Sequence, residues 1–193
     1  FLMTGRRTDA ENELRAVLGL DPANVRASLG LAVLYAGAGR KEEAAALYRQ
    51  VSRSSDARFR HLYGAYLVNT GKRDEAIAEF ERLFREAPGD RDARTRVVSI
   101  YAMAGRTADA ERILQAALEK NPKDVDALLQ RGEMLLRAGK AAEAQASLNE
   151  VLRFKPESAP AHYLLSRVYG MRESRRLQIQ ELTQAVQAGP EQL

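Results

Sequence analysis

Along this chain the apolar positions fall three and four residues apart, the spacing that lines one face of an α-helix. Leu14 and Val17 form such a pair, as do Tyr48 and Val51, Phe80 and Leu83, Leu114 and Ala117, and Leu148 and Val151. Each pair follows an alanine by four residues: Ala10, Ala44, Ala76, Ala110 and Ala144. A second set of stripes alternates with the first. Leu31, Ala32 and Tyr35 recur as Tyr63, Gly64 and Leu67, as Val97, Val98 and Tyr101, as Arg131, Gly132 and Leu135, and as Leu165, Ser166 and Tyr169. β-Branched residues are sparse and never alternate with polar ones. The pattern therefore predicts helices throughout and no sheet.

The stripes repeat in register. Gly5, Gly39, Gly71, Gly105 and Gly139 are spaced by 34, 32, 34 and 34 residues. Each stands five residues before one of the alanines, and Pro22, Pro88, Pro122 and Pro156 follow their glycines by seventeen. A glycine here supplies the left-handed residue that ends a first helix. The alanine lets a second helix approach closely. The proline stops that helix and biases the residue before it away from helical angles. Arg131 interrupts its stripe, with a stem that covers apolar surface while its guanidinium reaches water. The segment SRSSDA at 52–57 replaces the usual ending of its unit, which is two residues short and lacks the proline. Ser55 or Asp56 is the expected N-cap there. Near the end, Glu173 stands at the glycine position and Gln178 at the alanine position. A longer or looser turn is expected over 170–178, with Gly170 as an alternative helix stop.

A helix-turn-helix unit of 34 residues, with a large residue, a small residue, Tyr, Gly, Ala, an aromatic, Ala and Pro in this order, resembles the tetratricopeptide repeat. The segments ALLQRGEMLLRAGKAAEAQASLNEVLRFKP and ARTRVVSIYAMAGRTADAERILQAALEKNP lie close to that pattern. The resemblance extends over essentially the whole chain. It implies an all-α fold, a right-handed α-solenoid of stacked antiparallel helix pairs. Residues 1–22 read as a partial repeat, the end of a first helix plus a second helix. Full repeats are expected at 23–56, 57–90, 91–124 and 125–158, with an irregular one at 159–193. Neither end has an obvious polar cap, so the chain reads as a piece of a longer repeat protein whose uncapped ends favour self-association.

Composition narrows the chemistry. Ala, Leu, Arg and Glu dominate, and there is no Cys, which removes disulfides and thiolate metal sites. The net charge is +4, with 17 basic and 14 acidic residues through Arg96 and 13 and 12 after it. So small and dispersed an excess argues against a nucleic-acid partner. No apolar stretch is long enough to insert in a membrane. His61 and His162 are far apart in sequence and read as surface or groove histidines, not ligands. GAGRKEE at 37–43 lacks the first glycine of a phosphate loop and follows no strand. The acidic pairs Glu42–Glu43 and Asp74–Glu75 complement the positive ends of second helices. No cofactor, metal site or catalytic residue is expected.

In the family, the first helices line a concave groove that holds partners. Positions one turn apart and off the apolar stripe would face it here. They include Arg26, Leu29 and Val33; Arg58, His61, Ala65 and Asn69; Asp92, Thr95, Ser99 and Met103; Asp126, Leu129, Glu133 and Arg137; and Pro160, Tyr163, Arg167 and Met171. Of these, Arg58, His61, Asn69, Asp92, Ser99, Asp126, Glu133, Arg137, Tyr163 and Arg167 are the candidate contacts. Their mixed chemistry fits a protein or an extended peptide. Some family members grip a C-terminal carboxylate through groove asparagines. The matching positions are Val33, Ala65, Ser99, Glu133 and Arg167, so no such clamp is expected. A non-catalytic interaction scaffold is the leading expectation. The alternatives are an array accessory to a catalytic domain outside this segment, or part of a bacterial cell-envelope system for polysaccharide export or secretion. Ala- and Arg-rich, Lys-poor repeats resemble those of high-GC bacteria, in cytoplasm or periplasm.

Overall fold

A computed structural model describes residues 7–189, which form eleven α-helices, one short 3₁₀ helix and no strand. Gly5, Pro190 and the end of a first helix expected within 1–6 lie outside the described residues. The helices are α1 (Arg7–Leu20), α2 (Val25–Gly37), α3 (Lys41–Ser52), α4 (Leu62–Asn69), α5 (Arg73–Glu86), α6 (Arg91–Met103), α7 (Thr107–Lys120), α8 (Val125–Arg137), α9 (Ala141–Phe154), α10 (Ala159–Met171) and α11 (Arg175–Ala188). The 3₁₀ helix, Ala57–Phe59, precedes α4.

Two compact units divide the chain, residues 1–93 and 94–193. In the first, α1 packs on α2, α2 on α3, α3 on α4 and α4 on α5. In the second, α7 packs on α8, α8 on α9, α9 on α10 and α10 on α11, with α8 also touching α10. The helices so paired bury their stripes against their neighbours in the chain, which is how repeat proteins build a core.

The helix starts and stops follow from single residues. Asn24, Asp124 and Ser158 each accept a hydrogen bond from the backbone N–H three residues on, capping α2, α8 and α10. Gly39, Gly71, Gly105 and Gly139 have φ between 74° and 78°, the left-handed region where a Cβ is strained. The residue after each donates its backbone N–H five residues back, to Tyr35, Leu67, Tyr101 and Leu135 respectively. Those bonds close the ends of the first helices. The second helices start without a side-chain cap. Instead, Arg40, Lys72, Arg106 and Lys140 pair with an acidic residue three positions on: Glu43, Glu75, Asp109 and Glu143.

The alanines mark the closest crossings. Ala44, Ala76, Ala110 and Ala144 are all 0% exposed. A Cβ on Gly64 would come within 2.6 Å of the Phe80 ring, and one on Gly132 within 2.7 Å of the Leu148 side chain. No larger residue fits at those two crossings without moving its neighbour.

Three sequence expectations need correction. The turn at 170–178 is regular. Glu173 takes the left-handed conformation itself, with φ 56°, and Ser174 N–H donates to Tyr169 C=O at 2.9 Å as in the other four turns. Gly170 does not stop the helix but lies inside α10, where a Cβ would stand 2.9 Å from the Gln178 amide. His162 is buried rather than on the surface. Its Nδ1 lies 2.7 Å from Glu181 Oε2 and its Nε2 donates to the Pro156 carbonyl at 2.9 Å. Arg131 does not simply reach water, because its guanidinium pairs with Glu111 of α7 at 2.8 Å.

Candidate partner-binding surface

The first helices of both units keep one face out of the core. On α2, Arg26 and Val33 are exposed and Leu29 is half-buried. Before and within α4, Arg58 and Asn69 are exposed while His61 and Ala65 are half-buried. In the second unit, Ser99 and Met103 of α6, Arg137 of α8, and Tyr163, Arg167 and Met171 of α10 are exposed. Asp126, Leu129 and Glu133 of α8 and Pro160 of α10 are half-buried. Asp92, in the first turn of α6, is exposed, and its backbone N–H donates to Asp90 at 2.8 Å. None of the candidate contacts is in the core. This follows from the helical period, since positions three to four residues apart share a face and the opposite face carries the buried stripe.

The large apolar residues left exposed are not scattered. Among the described residues they fall into two groups. Val33, Met103, Tyr163 and Met171, 43–53% exposed, all stand on the outward face of first helices. Val17 and Leu20 on α1, and Ile179, Leu182 and Val186 on α11, stand on the first and last described helices. The outward faces of the other second helices, α3, α5, α7 and α9, expose none. Exposed apolar groups that gather on one register mark a contact surface better than single ones do.

The charges on this face are part matched and part free. Arg137 pairs with Glu133 one turn earlier at 2.6 Å, and Arg58 with Asp56 at 2.6 Å. The Arg58 guanidinium holds the Asp56 carboxyl below its usual range, helped by the Arg58 backbone N–H. Arg167 is exposed and has no ion pair among the described residues. In the second unit Ser99, Glu133 and Arg137 line a shallow cleft of ≈ 30 Å³ between α6 and α8, floored by Val98 and Met134. Gln130 and Thr95 hydrogen-bond across the same pair of helices. The cleft has room for about one water, so this surface offers shallow contacts, not an enclosed ligand pocket.

The sequence reading missed one feature next to this face. Arg94 of α6 is 7% exposed and makes a two-pronged ion pair with Asp124, at 2.8 and 3.2 Å. Asp124 also caps α8. One group thereby ties α6 to the start of α8 and fixes how their outward faces adjoin. The available signal was Arg94 itself, a charged residue one turn before the apolar Val97 and Val98. Among the described residues no three His, Cys, Asp or Glu side chains gather as a metal site, and no helix is long and apolar enough to cross a membrane.

A family model described as tetratricopeptide repeat matches residues 1–66 and 67–132, and a second model of the same description matches 126–158. No curated protein matches the chain. Among solved structures, a tetratricopeptide repeat protein from Parabacteroides merdae is 18% identical, with a TM-score of 0.69 over 98% of this chain and 76% of that one. YrrB, a TPR protein with an unusual peptide-binding site, is 23% identical, with a TM-score of 0.53 over 92% of this chain and 93% of its own. MamA MSR-1 is also 23% identical, with a TM-score of 0.53 over 81% and 91%. These likenesses show the fold. The registered glycines and alanines, the serial helix hairpins and matches over most of its length agree: the chain belongs to the tetratricopeptide repeat family.

Proposed function

We propose that the chain is a non-catalytic scaffold that binds a protein or an extended peptide on the outward face of its first helices. Arg58, His61, Asn69, Asp92, Ser99, Asp126, Glu133, Arg137, Tyr163 and Arg167 are the proposed contacts. One observation carries the reading. Apart from the two end helices, every large apolar side chain left exposed among the described residues lies on that face. Apolar anchors flanked by both charge signs suit a peptide of mixed chemistry, since buried apolar contacts give affinity and charge pairs give selectivity. Tetratricopeptide repeats are generally protein-interaction modules, and YrrB carries a peptide-binding site. Both support the reading by likeness.

The test is a peptide-library screen with the chain and with the triple variant Arg58→Glu, Glu133→Arg and Arg167→Glu. All three residues lie outside the core. The variant should fold as before and lose or change its selected peptides. Selection of the same peptides with the same affinity overturns the surface.

A second reading rests on the end helices. Val17 and Leu20, with Ile179, Leu182 and Val186, leave apolar surface that a second copy of the chain would cover. Sedimentation of the chain should show concentration-dependent association that Ile179→Glu with Val186→Glu abolishes. A strictly monomeric wild type removes this reading and leaves the first intact.

A further inference from the structure

On α10 the outward face reads apolar, charged, apolar. Tyr163, Arg167 and Met171 stand four residues apart, so they form one line with about 6 Å between neighbours along the helix axis. Tyr163 is 43% exposed and Met171 53%. Arg167 between them is exposed and has no ion pair among the described residues. No other first helix carries a cation at this middle position, which is Val33, Ala65, Ser99 and Glu133 in the others.

The neighbouring surface does not compensate Arg167. α8 touches α10, and its outward face carries Leu129, Glu133 and Arg137. The two charges there cancel, because Arg137 pairs with Glu133 at 2.6 Å. Just past Met171 the chain adds Arg172, Arg175 and Arg176 against one acidic residue, Glu173, and all four are exposed. Arg172 donates to the Gln145 side chain at 2.6 Å, and the other two begin α11. From Tyr163 to Arg176 there are four arginines and one glutamate.

Charge and shape together define the occupant. Tyr, Met and Arg are side chains enriched in protein interfaces. A cation between two apolar groups gains most from a partner that supplies a carboxylate and covers the pair with apolar side chains of its own. A polyanion without apolar groups would leave Tyr163 and Met171 bare. In an extended segment alternate side chains point the same way, about 6.8 Å apart, close to the spacing along α10. A helical partner needs an apolar groove, and the α8 face beside this line presents a salt bridge instead.

We propose that the outward face of α10 binds an extended segment of a partner protein in which an acidic residue lies between two apolar ones at alternate positions. Arg167 takes the carboxylate, and Tyr163 and Met171 cover the apolar side chains on either side. Because this line belongs to the outward face of the first helices, it rests on that face being the partner surface.

The experiment is an NMR titration of the isotope-labelled full chain with four peptides: SLSDSFS, its charge-reversed form SLSKSFS, its apolar-free form SSSDSSS and the contiguous form SSLDFSS. SLSDSFS should shift the amides of α10 saturably and bind more tightly than the other three. Arg167→Glu should weaken SLSDSFS by more than about tenfold, since a close charge pair is replaced by a repulsion, and should reverse its order with SLSKSFS. Tyr163→Ala with Met171→Ala should weaken SLSDSFS several-fold and leave the melting temperature unchanged, because both side chains are exposed. Lys120→Glu, the same change of charge on the exposed surface of α7, should alter neither affinity nor order. Binding of SLSKSFS, SSSDSSS or SSLDFSS as tight as that of SLSDSFS overturns the proposal, as does an affinity that Arg167→Glu leaves unchanged. If SLSDSFS fails to bind, the proposal falls, while library peptides lost in the triple variant still uphold the wider surface. A library screen that selects no peptide removes both.

Discussion

Two junctions between repeats solve the same problem differently. At the α7–α8 junction, Pro122 turns the chain and Asp124 caps α8, a first helix of thirteen residues. Arg94 reaches across to that cap from α6 and is buried with it. At the α3–α4 junction the proline is absent. Asp56 caps only the 3₁₀ helix, accepting from Arg58 N–H at 3.0 Å, and α4 is reduced to eight residues beginning after His61. Ser52 takes over part of the lost cap, accepting the Tyr63 N–H at 2.8 Å. The α4–α5 hairpin beyond it is nevertheless regular, with Gly71 left-handed and Ala76 fully buried. A two-residue shortfall is therefore absorbed within the junction. The α4–α5 hairpin keeps its turn and its close crossing although the preceding repeat hands over the chain differently.

The sharpest way to break that comparison is to remove the two caps. Asp124→Ala leaves the Arg94 guanidinium buried without its counter-charge and should cost about 3–5 kcal/mol. Asp56→Ala loses the cap of a short turn and an ion pair whose arginine is 82% exposed, and should cost about 1 kcal/mol or less. Urea denaturation measures both. Equal losses would mean that burial at the α7–α8 junction does not distinguish the two. Next in size, Gly64→Leu and Gly132→Leu should each cost about 1–3 kcal/mol, because the new side chain must displace Phe80 or Leu148 from the core. A harmless Gly64→Leu beside a costly Gly132→Leu would show that the shortened α4 has loosened its hairpin after all.

The legible features were those that one residue type must supply. A left-handed residue calls for glycine, and Gly39, Gly71, Gly105 and Gly139 are left-handed. A close helix crossing calls for alanine, and Ala44, Ala76, Ala110 and Ala144 are sealed. The outward register was legible because helical period alone sets which side chains share a face. Features that depend on pairing across the fold were not. Arg94 looks like any surface arginine until Asp124, thirty residues on, is placed against it. His162 looks like a surface histidine until Glu181 and Pro156 close on it. Glu173 escaped for the opposite reason, since the fold imposes a conformation that its own side chain disfavours.

Glu173 offers a gain instead of a loss. The other four turns place glycine at this position without strain, so Glu173→Gly should raise stability by about 1 kcal/mol. The exchange touches no core contact, because Glu173 is exposed. A lower melting temperature in the variant would mean that the strained φ is offset by an interaction of the glutamate side chain. It would also make the fifth turn a second exception beside the α3–α4 junction.

The smallest expected effect concerns the ion pairs that open the second helices. Arg40 hydrogen-bonds Glu43 and also Glu11 of α1, and both carboxyls are held below the ordinary value of 4.5 chiefly by that guanidinium. Arg106 does the same to Asp109, whose ordinary value is 3.8. A carboxyl depressed in the folded state binds protons more weakly there than in the unfolded chain. Its stabilisation is therefore complete above the unfolded value and is lost as pH falls through the lower, folded one. Denaturation midpoints should stay level from neutral pH down to about 5 and decline below about 4.5. Glu11→Gln should flatten that decline slightly, since Glu11 joins α1 to Arg40 across the hairpin, and solvent screens such pairs. If Glu11→Gln leaves the decline as steep as in the wild type, the link from α1 to Arg40 has no separate role in holding the first hairpins together.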